Sequence, residues 1–456
     1  MANGAEPKSG GNTKFVSLVS LVAAVGGLLF GYDTAVISGA IQFLQEKFSL
    51  SSFMVGWAVA SLIVGAAIGT GFAGKLSDRF GRKKTLLLAA LLFTVGSIFS
   101  AIVNNFTLFI IFRIIGGIGI GISSVQAPLY IAEIAPSKIR GRLVSLNQLA
   151  VVTGIFAVYF LNLGIANHGS HAWNVSTGWR WMLGFGVIPG VIFFLLLLIV
   201  PESPRWLQLQ GRKDEAFKIL KKLMGEEEAK KEIGKIDTSA DEEGSSIKKL
   251  LKPGLRKALL IGVVLAILQQ ATGINSIMYY APEIFKNAGA GDNTSLIQTV
   301  LVGGINLVFT IISLWLVDRV GRKVLLLIGS ALMTISLGVV SYAFHIGSTG
   351  TWVLFFILLF VAAFAVSMGP IVWLIIAEIF PNRVRGVASS IASVSLWLAD
   401  FLVSQAFPVL LDTIGSSLTF LIFGVLSAFA FFFTLGVVPE TKGKSLEEIE
   451  NMWKQS

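Results

Sequence analysis

The sequence predicts an all-α integral membrane protein whose twelve transmembrane helices form two six-helix halves, joined by a partly helical intracellular linker. Of its 456 residues, 54% are hydrophobic and only 14% are charged, whereas soluble domains carry about 25% charged residues. Many stretches reach about 20 apolar residues, the length that crosses a bilayer as a helix. Several motifs of the first half also recur in the second half. A soluble multidomain chain is therefore excluded.

Hydropathy separates the spans by short polar connections, with one long polar stretch between the sixth and seventh. The first residues lack the early apolar core that a secretory signal needs. The predicted spans are 15–39, 53–73, 85–104, 108–131, 146–166, 181–200, 257–281, 296–316, 324–345, 352–376, 388–411 and 418–437. The predicted units are a cytoplasmic tail (1–14), a first half (15–200), an intracellular linker (201–256), a second half (257–437) and a cytoplasmic tail (438–456).

The basic residues predict the orientation of these spans, because lysine and arginine accumulate in cytoplasmic connections. The opposite connections hold little beyond Lys47, Arg180 and Lys286. We therefore expect both termini in the cytoplasm. The basic connections, after spans 2, 4, 8 and 10, contain Lys75, Arg79, Arg82, Lys83, Lys84, Lys138, Arg140, Arg142, Arg319, Arg322, Lys323, Arg383 and Arg385.

Charge and cysteine content exclude several function classes. The net charge of +10 is spread over short clusters between apolar segments, which indicates membrane topology and not nucleic-acid binding. The chain has no cysteine, which excludes disulfides and thiolate metal sites. No nucleophile with its base and no phosphate loop is visible. We expect a protein that is not an enzyme and that uses neither a metal nor a cofactor.

An internal repeat underlies the division into two halves. Three motif pairs recur in the same order, at offsets of 240 residues for Asp78 and Asp318, 245 for Glu133 and Glu378, and 238 for the third pair. Halves of this kind place a substrate site between them, near the membrane midplane. The pairs are GKLSDRFGRKK (74–84) with LWLVDRVGRKV (314–324), APLYIAEIAPSKIRG (127–141) with GPIVWLIIAEIFPNRVRG (369–386), and PESPR (201–205) with PETKG (439–443).

A carboxylate within the first span, in FGYDTAVISG (30–39), indicates a function. Burying Asp33 at the bilayer centre costs roughly 2.5–3.5 kcal/mol on insertion scales, so it requires a partner. The nearest intramembrane cation is Arg113, within FRIIGGIGIG, whose glycines permit close helix approach. Pairing favours the charged carboxylate and burial favours the neutral acid, so separating the pair can drive protonation. The alternative is a permanent structural ion pair.

The motifs together resemble the signature set of the sugar porter family within the major facilitator superfamily, from about residue 18 to 452. The chain is most similar to bacterial xylose/proton symporters and to their inositol, arabinose and galactose relatives. The resemblance implies the major facilitator fold and an alternating-access carrier of a monosaccharide or polyol. The matching segments are GYDTAVISG, DRFGRKK, RIIGGIGIG, YIAEIAPSKIRG, SLNQL, GWRWM, PESPRWL, QQATGINSIMYYAPEIF, DRVGRK, GPIVWLIIAEIFPNRVRG and PETKGKSLEEIE.

Amide side chains within the spans suit such a substrate, because an amide both donates and accepts hydrogen bonds as a sugar hydroxyl does. Gly273 should interrupt span 7, as in the discontinuous helices of transporter sites. The alternative role of each amide is a hydrogen bond that joins two helices, without any contact to a substrate. The resemblance adds Trp373 and Trp397 as aromatic walls, with Phe30, Gly369 and Tyr280 as weaker candidates. The amides are Gln148, Gln269, Gln270, Asn275 and Asn306.

Three positions depart from the pattern of the xylose symporters. Ile155 and Leu396 stand where amides are expected, and Asp400 stands where relatives commonly have asparagine. Asp400 follows Trp397 by three residues, so the two share a helix face. Its carboxylate has three interpretations: a contact to a sugar hydroxyl, a second titrating group, or a residue at the outer rim without a role. The departures leave the identity of the sugar open.

Charged residues at the cytoplasmic ends of the spans predict a gating latch, in which ion pairs hold helices together in one conformation and separate in another. Single pairs at a rim contribute about 0–1 kcal/mol, so a network is required. The alternative is that the basic residues only set the orientation of the protein in the membrane. The predicted latch residues are Asp78, Arg79, Arg82, Glu133, Arg140, Glu202, Arg205, Asp318, Arg322, Glu378, Arg385 and Glu440.

Three functions remain in view, led by proton-coupled symport of a pentose, hexose or polyol. A facilitative uniporter of the same fold comes second. A transporter-like sugar sensor comes third, because the tail 438–456 is short. We expect a multi-pass protein of a bacterial inner membrane that works as a monomer, with sugar, proton and membrane lipid as its partners and no nucleic acid.

Overall fold

The computed structural model describes residues 13–136, 139–240, 253–348, 350–380 and 384–442, and the regular elements in these ranges are helices. The first half contains α1 (Thr13–Phe48), α2 (Ser52–Phe80), α3 (Arg82–Ile102), α4 (Phe106–Ile134), α5 (Arg140–His168), α6 (His171–Trp173), a π-helical turn (Asn174–Gly178), α7 (Trp179–Gly184) and α8 (Val187–Ile199). The polar stretch contains α9 (Pro204–Leu209), α10 (Lys213–Met224) and α11 (Glu226–Ala240). The second half contains α12 (Pro253–Ala271), α13 (Ile274–Asn287), α14 (Asp292–Val320), α15 (Arg322–His345), α16 (Thr351–Val366), α17 (Met368–Glu378) and α18 (Arg385–Gly436).

The described ranges hold 11 helices that are long and apolar enough to cross a membrane, and the last of them contains two of the predicted spans. It runs for 50 residues, Val387–Gly436, which corresponds to about 75 Å of helix against a bilayer core of about 30 Å. Gly415 interrupts it with a φ of 78°, between predicted spans 11 and 12. The predicted boundaries are several residues short elsewhere, since α1 continues to Phe48.

The two halves pack against each other through two equivalent helix pairs. α2 of the first half contacts α18 of the second, and α5 of the first half contacts α14 of the second. α2 and α18 contain spans 2 and 11, and α5 and α14 contain spans 5 and 8. The internal repeat relates span 2 to span 8 and span 5 to span 11, so the two pairs are equivalent. α1 also contacts α13 across the same boundary. Of these helices, α1, α5, α13, α14 and α18 line the cavity described below.

Glycines on α4 bring it against its neighbours, as the sequence predicts. A Cβ added at Gly117 would lie 2.1 Å from the Leu62 carbonyl oxygen of α2, and one at Gly121 would lie 2.0 Å from the Ala66 carbonyl oxygen. Real side chains do not fit at these distances, so α4 contacts α2 backbone to backbone. This close packing carries Arg113, on the same helix, into the interior, where it is 3% exposed.

Two spans of the second half are broken, and one break is predicted. Gly273 has a left-handed φ of 88° between α12 and α13, which glycine adopts without strain. The second break, at Ser367 between α16 and α17, was not predicted. Pro370 explains it, because a proline has no N–H and its ring clashes with the carbonyl group four residues earlier. The Val366 carbonyl oxygen, four residues before Pro370, accepts a hydrogen bond from the Ser313 hydroxyl at 2.9 Å instead.

Candidate functional site

A cavity of about 110 Å³ lies between the two halves, and all ten predicted substrate-binding residues line it. They come from α1, α5, α12, α13, α14, α17 and α18, so both halves contribute. Ile155 and Leu396, the two apolar departures, also line it. The ten residues are Phe30, Gln148, Gln269, Gln270, Asn275, Asn306, Gly369, Trp373, Trp397 and Asp400.

The amides of the cavity differ in what they already bind. The Gln269 amide donates to the carbonyl oxygens of Met368 and Gly369 at 2.8 and 2.9 Å, and so holds the broken span in place. The Asn275 side-chain amide donates to the side-chain Oε1 atom of Gln270 at 2.9 Å. Asn306, 6% exposed, has no hydrogen-bond partner among the described residues. Gln269 therefore attaches one helix to another while its Oε1 atom has no partner in the described ranges, and Asn306 offers a free amide.

Aromatic side chains form the walls of the cavity. Trp397 is buried and packs against Phe30, with ring centroids 5.6 Å apart in an edge-to-face arrangement. This contact joins α1 to α18 across the two halves. Trp373 is 41% exposed, so part of its indole remains open beside the cavity. Such flat apolar surfaces suit the C–H faces of a small polar ligand.

Asp400 is buried at the cavity wall, at 1% exposure, and not at an outer rim. Its carboxylate accepts hydrogen bonds from the Ser404 hydroxyl at 3.0 Å and from the Tyr279 hydroxyl at 3.4 Å. No cation pairs with it among the described residues. Two of the three interpretations therefore remain, a contact to the ligand and a titrating group.

Asp33 and Arg113 form the predicted ion pair between α1 and α4, with Arg113 Nη1 as donor. The two side chains are 10% and 3% exposed. The Nε and Nη2 atoms of Arg113 are buried without a hydrogen-bond partner in the described part of the chain. Gly116 lies beside the pair, and a Cβ there would meet Asp33 Oδ2 at 3.8 Å, an ordinary contact distance. Thr34, next to Asp33, lines the cavity.

Two cavity-lining residues, Thr34 and Thr310, were missed from the sequence. Tyr279, the hydroxyl partner of Asp400, was missed as well. Helix spacing was a usable signal for one of them, because Thr310 follows Asn306 by four residues and shares its face. Tyr280, a weaker candidate, instead donates to the Ser404 carbonyl oxygen at 3.2 Å.

At one end of the molecule, Glu133 and Glu202 connect α2, α3, α4 and α9. We call the end of the molecule that contains these two residues the charged end. The Arg82 guanidinium donates to both Glu133 oxygens at 2.9 Å, through Nε and Nη2. Ser203 donates its hydroxyl to the same carboxylate. Glu202 accepts from the backbone N–H groups of Arg82 and Lys83 at 2.9 and 3.1 Å. A carboxylate at a helix N-terminus satisfies N–H groups that have no intrahelical partner.

The second half repeats this cluster. Arg322 donates to Glu378 at 3.1 Å, and Thr441 donates its hydroxyl to the other Glu378 oxygen at 2.6 Å. Glu440 accepts from the backbone N–H groups of Arg322 and Lys323 at 3.1 and 3.0 Å. Burial acts to raise the pKa of Glu440, but these N–H groups and those of Lys442 and Thr441 hold the pKa below its ordinary value. Each cluster ties helices within one half.

The remaining predicted latch residues do not all join these clusters. Asp78 lies 3.4 Å from Arg82 and is 77% exposed. Arg140 instead pairs with Glu232 of α11 at 3.5 Å. Arg79 stacks over Phe80, and Arg205 forms no ion pair within the described ranges. The side chains of Asp318 and Arg385 lie outside the described residues.

At the opposite end, polar contacts join the two halves. Ser52 donates to Asp412 at 2.9 Å, and Gln405 donates to the Phe53 carbonyl oxygen at 2.9 Å. Lys286 donates to Gln42 of α1. Trp57 packs edge-to-face on Phe401, with centroids 5.9 Å apart. These contacts close the molecule beyond the cavity on this side.

Comparison with known proteins gives the family. Residues 19–453 match the family described as "Sugar (and other) transporter". The chain belongs to this transporter family. The arabinose-proton symporter of Bacillus subtilis is 50% identical over 96% of this chain and 95% of its own length. The D-xylose-proton symporter of Escherichia coli K12 is 41% identical over 97% of this chain and 96% of its own length.

Solved structures of a sugar transporter share the fold. The inward-open xylose transporter of E. coli gives a TM-score of 0.86 at 40% identity, covering 96% of this chain and all of that one. The same proton:xylose symporter bound to 6-bromo-6-deoxy-D-glucose gives 0.82 at 41% identity, covering 97% of this chain and all of that one. The predicted major facilitator fold and the membership of a transporter family, not an enzyme family, are confirmed.

The free amide of this sugar porter's cavity gives a first prediction. Asn306→Ala should weaken sugar binding about 2- to 12-fold, because one neutral hydrogen bond contributes about 0.5–1.5 kcal/mol. The unfolding temperature should stay unchanged, since the amide binds no described residue. Asn162→Ala is the matched control. Asn162 donates to the Val36 carbonyl oxygen at 3.2 Å away from the cavity, so its loss should lower stability and leave sugar affinity alone.

Binding by tryptophan fluorescence and unfolding in detergent provide the two measurements. Unchanged sugar affinity of the Asn306 variant would remove this residue from the binding site.

Proposed function

We propose that this protein is a proton-coupled symporter that carries a monosaccharide across the cytoplasmic membrane of a bacterium by alternating access. The observation that carries the proposal is the convergence of nine polar and aromatic residues, with Gly369, on one cavity. Thr34 of this cavity directly follows Asp33, which belongs to a buried carboxylate–guanidinium pair. The cavity offers hydroxyl-binding groups and aromatic walls, and the pair offers a site for one proton. The relatives named as proton symporters of arabinose and xylose support the same function.

An aldopentose is the proposed substrate class. The enclosed volume of about 110 Å³ is below the 300–1,000 Å³ typical of pockets for drug-sized ligands, so it suits a small molecule. Two relatives, at 50% and 41% identity, are named as symporters of the pentoses arabinose and xylose, which supports the same class. A hexose or a polyol is the second candidate, because the solved relative also holds a bromodeoxyglucose.

The charged end is proposed to be cytoplasmic, with both chain termini on that side. The basic residues concentrated there support this orientation through the positive-inside rule. We assign the two clusters around Arg82 and Arg322 to the gating latch, because each links the ends of helices that must move together. One copy of the chain contains the whole cavity, which favours a functional monomer.

Uptake into proteoliposomes, with and without an imposed proton gradient, tests the proposal. A panel of arabinose, xylose, galactose, glucose and inositol should show concentrative uptake of a pentose when the outside is acidic. Equal rates with and without the gradient would support a facilitative uniporter instead. Saturable sugar binding without any uptake would favour a sensor.

Asp400 should determine which sugar is preferred. Hydrogen bonds to a charged group contribute about 1.5–3 kcal/mol against about 1 kcal/mol for neutral ones, so the carboxylate selects one hydroxyl pattern. Asp400→Asn should change the order of affinities across the sugar panel, measured at two pH values. Lost pH dependence with an unchanged order would assign Asp400 to proton binding. Wild-type behaviour in both respects would exclude both roles.

A further inference from the structure

A second cavity, unrelated to the sugar site, lies at the end of the molecule opposite the charged end. It has a volume of about 700 Å³ and shares no lining residue with the central cavity. The ends of α1 and α3 border it on one side, and the π-helical turn with α7 and the start of α8 borders it on the other. Ile102, Trp181 and Ile188 line it and are more than half exposed, so it opens toward the membrane.

Two cations line this cavity and no carboxylate does. Lys47, in the last turn of α1, has no ion-pair partner in the described part of the chain. Arg180 stacks on Trp179 at 4.3 Å. It donates to the Ala101 and Val103 carbonyl oxygens and to Asn104 Oδ1, which are all neutral acceptors. Its charge therefore remains uncompensated. Ser176 and Thr177 lie on the same wall. The Ser176 hydroxyl donates to the Trp173 carbonyl oxygen at 3.2 Å, so the Thr177 hydroxyl is the one that adds a donor for a phosphate oxygen.

The rest of the lining is apolar and is supplied by residues such as Ile102, Phe185 and Ile188. Basic groups are otherwise scarce at this end, and a tryptophan at the rim is typical of the headgroup level of a bilayer. An anionic headgroup with an acyl chain matches both parts of the cavity, whereas a free anion matches only the polar part.

We propose that this cavity is a binding site for one anionic glycerophospholipid, with its phosphate near Lys47 and Arg180 and an acyl chain along α8. The site is separate from the sugar cavity. The binding site itself does not depend on the proposed orientation of the protein. The assignment of the lipid to the outer leaflet rests on that orientation.

Native mass spectrometry of the purified full chain tests the site, with phosphatidylglycerol, phosphatidylcholine or inorganic phosphate added to the detergent micelles. We expect one phosphatidylglycerol to be retained in preference to phosphatidylcholine. Lys47→Gln should weaken its retention at least fivefold, because it removes a cation at the headgroup. Gly184→Leu should do the same by filling the apolar part, since a Cβ there meets only Ala101 Cβ at 3.4 Å.

Two matched variants control for generic effects. Lys75→Gln removes an exposed lysine from the charged end, and Gly164→Leu adds an exposed leucine where no atom lies within 4 Å; both should retain the lipid as the native chain does. Equal retention in all variants would identify ordinary surrounding lipid and overturn the proposal. Binding of inorganic phosphate that is lost in Lys47→Gln and kept in Gly184→Leu would identify a free-anion site and also overturn it.

Discussion

Replacing Asp33 by asparagine is expected to abolish uphill sugar uptake while leaving sugar binding and exchange intact. The amide cannot carry a proton between the two sides of the membrane, so the gradient no longer drives the cycle. A membrane potential of 100 mV is worth about 2.3 kcal/mol per charge, or roughly 50-fold in sugar accumulation at equilibrium. The variant should therefore stop at equal sugar concentrations inside and outside.

The matched control is Asp412→Asn, at the opposite end of the molecule. Asp412 is exposed and accepts a hydrogen bond from Ser52, which an amide oxygen still accepts. This variant should accumulate sugar as the native protein does. Accumulation by the Asp33 variant against a sugar gradient would place the proton site elsewhere in the chain.

Glu133→Ala is expected to destabilise the protein much more than Glu378→Ala, although the two residues are equivalent in the repeat. The side chains of Arg82 and Glu133 are 7% and 4% exposed, whereas those of Arg322 and Glu378 are 11% and 23% exposed. Removing one partner of a buried pair leaves an uncompensated charge and costs about 3–5 kcal/mol, while partly exposed pairs contribute less.

Thermal unfolding of both variants in the same detergent measures the difference. Ser203→Ala, which removes a second hydrogen bond to Glu133 but no charge, should give a smaller loss than Glu133→Ala. An equal or larger effect of the Glu378 variant would show that burial does not determine the strength of the two clusters.

The sequence predicts the elements whose signals are local. The length of the apolar stretches predicts the spans, and the offsets between motifs predict the repeat. Gly273 predicts one helix break, because a residue without a Cβ adopts a positive φ without strain. The break at Ser367 depends on Pro370, whose effect falls on the carbonyl group four residues earlier, and a hydropathy profile does not register it. Spans 11 and 12 were predicted as separate helices, and the positive φ of 78° at Gly415 falls between them.

The residues of the site were predictable from the sequence, but the hydrogen bonds and ion pairs between them were not. Polar residues within apolar spans are costly, so each amide and carboxylate was visible in the sequence. Their partners depend on how helices face each other. The two bonds from Gln269 to the carbonyl groups of α17, the Tyr279 hydroxyl on Asp400 and the Glu232 partner of Arg140 all join residues far apart in sequence.

Sugar-induced proton movement in proteoliposomes is the most direct test of proton-coupled sugar symport by this protein. Vesicles containing the purified protein, with no imposed gradient and with the membrane potential clamped at zero, are given a pentose outside, and the external pH is followed. We predict that the medium becomes more alkaline as sugar enters, with the native protein and the Asp412→Asn variant but not with Asp33→Asn. Sugar entry without any pH change in the native protein would contradict proton-coupled symport.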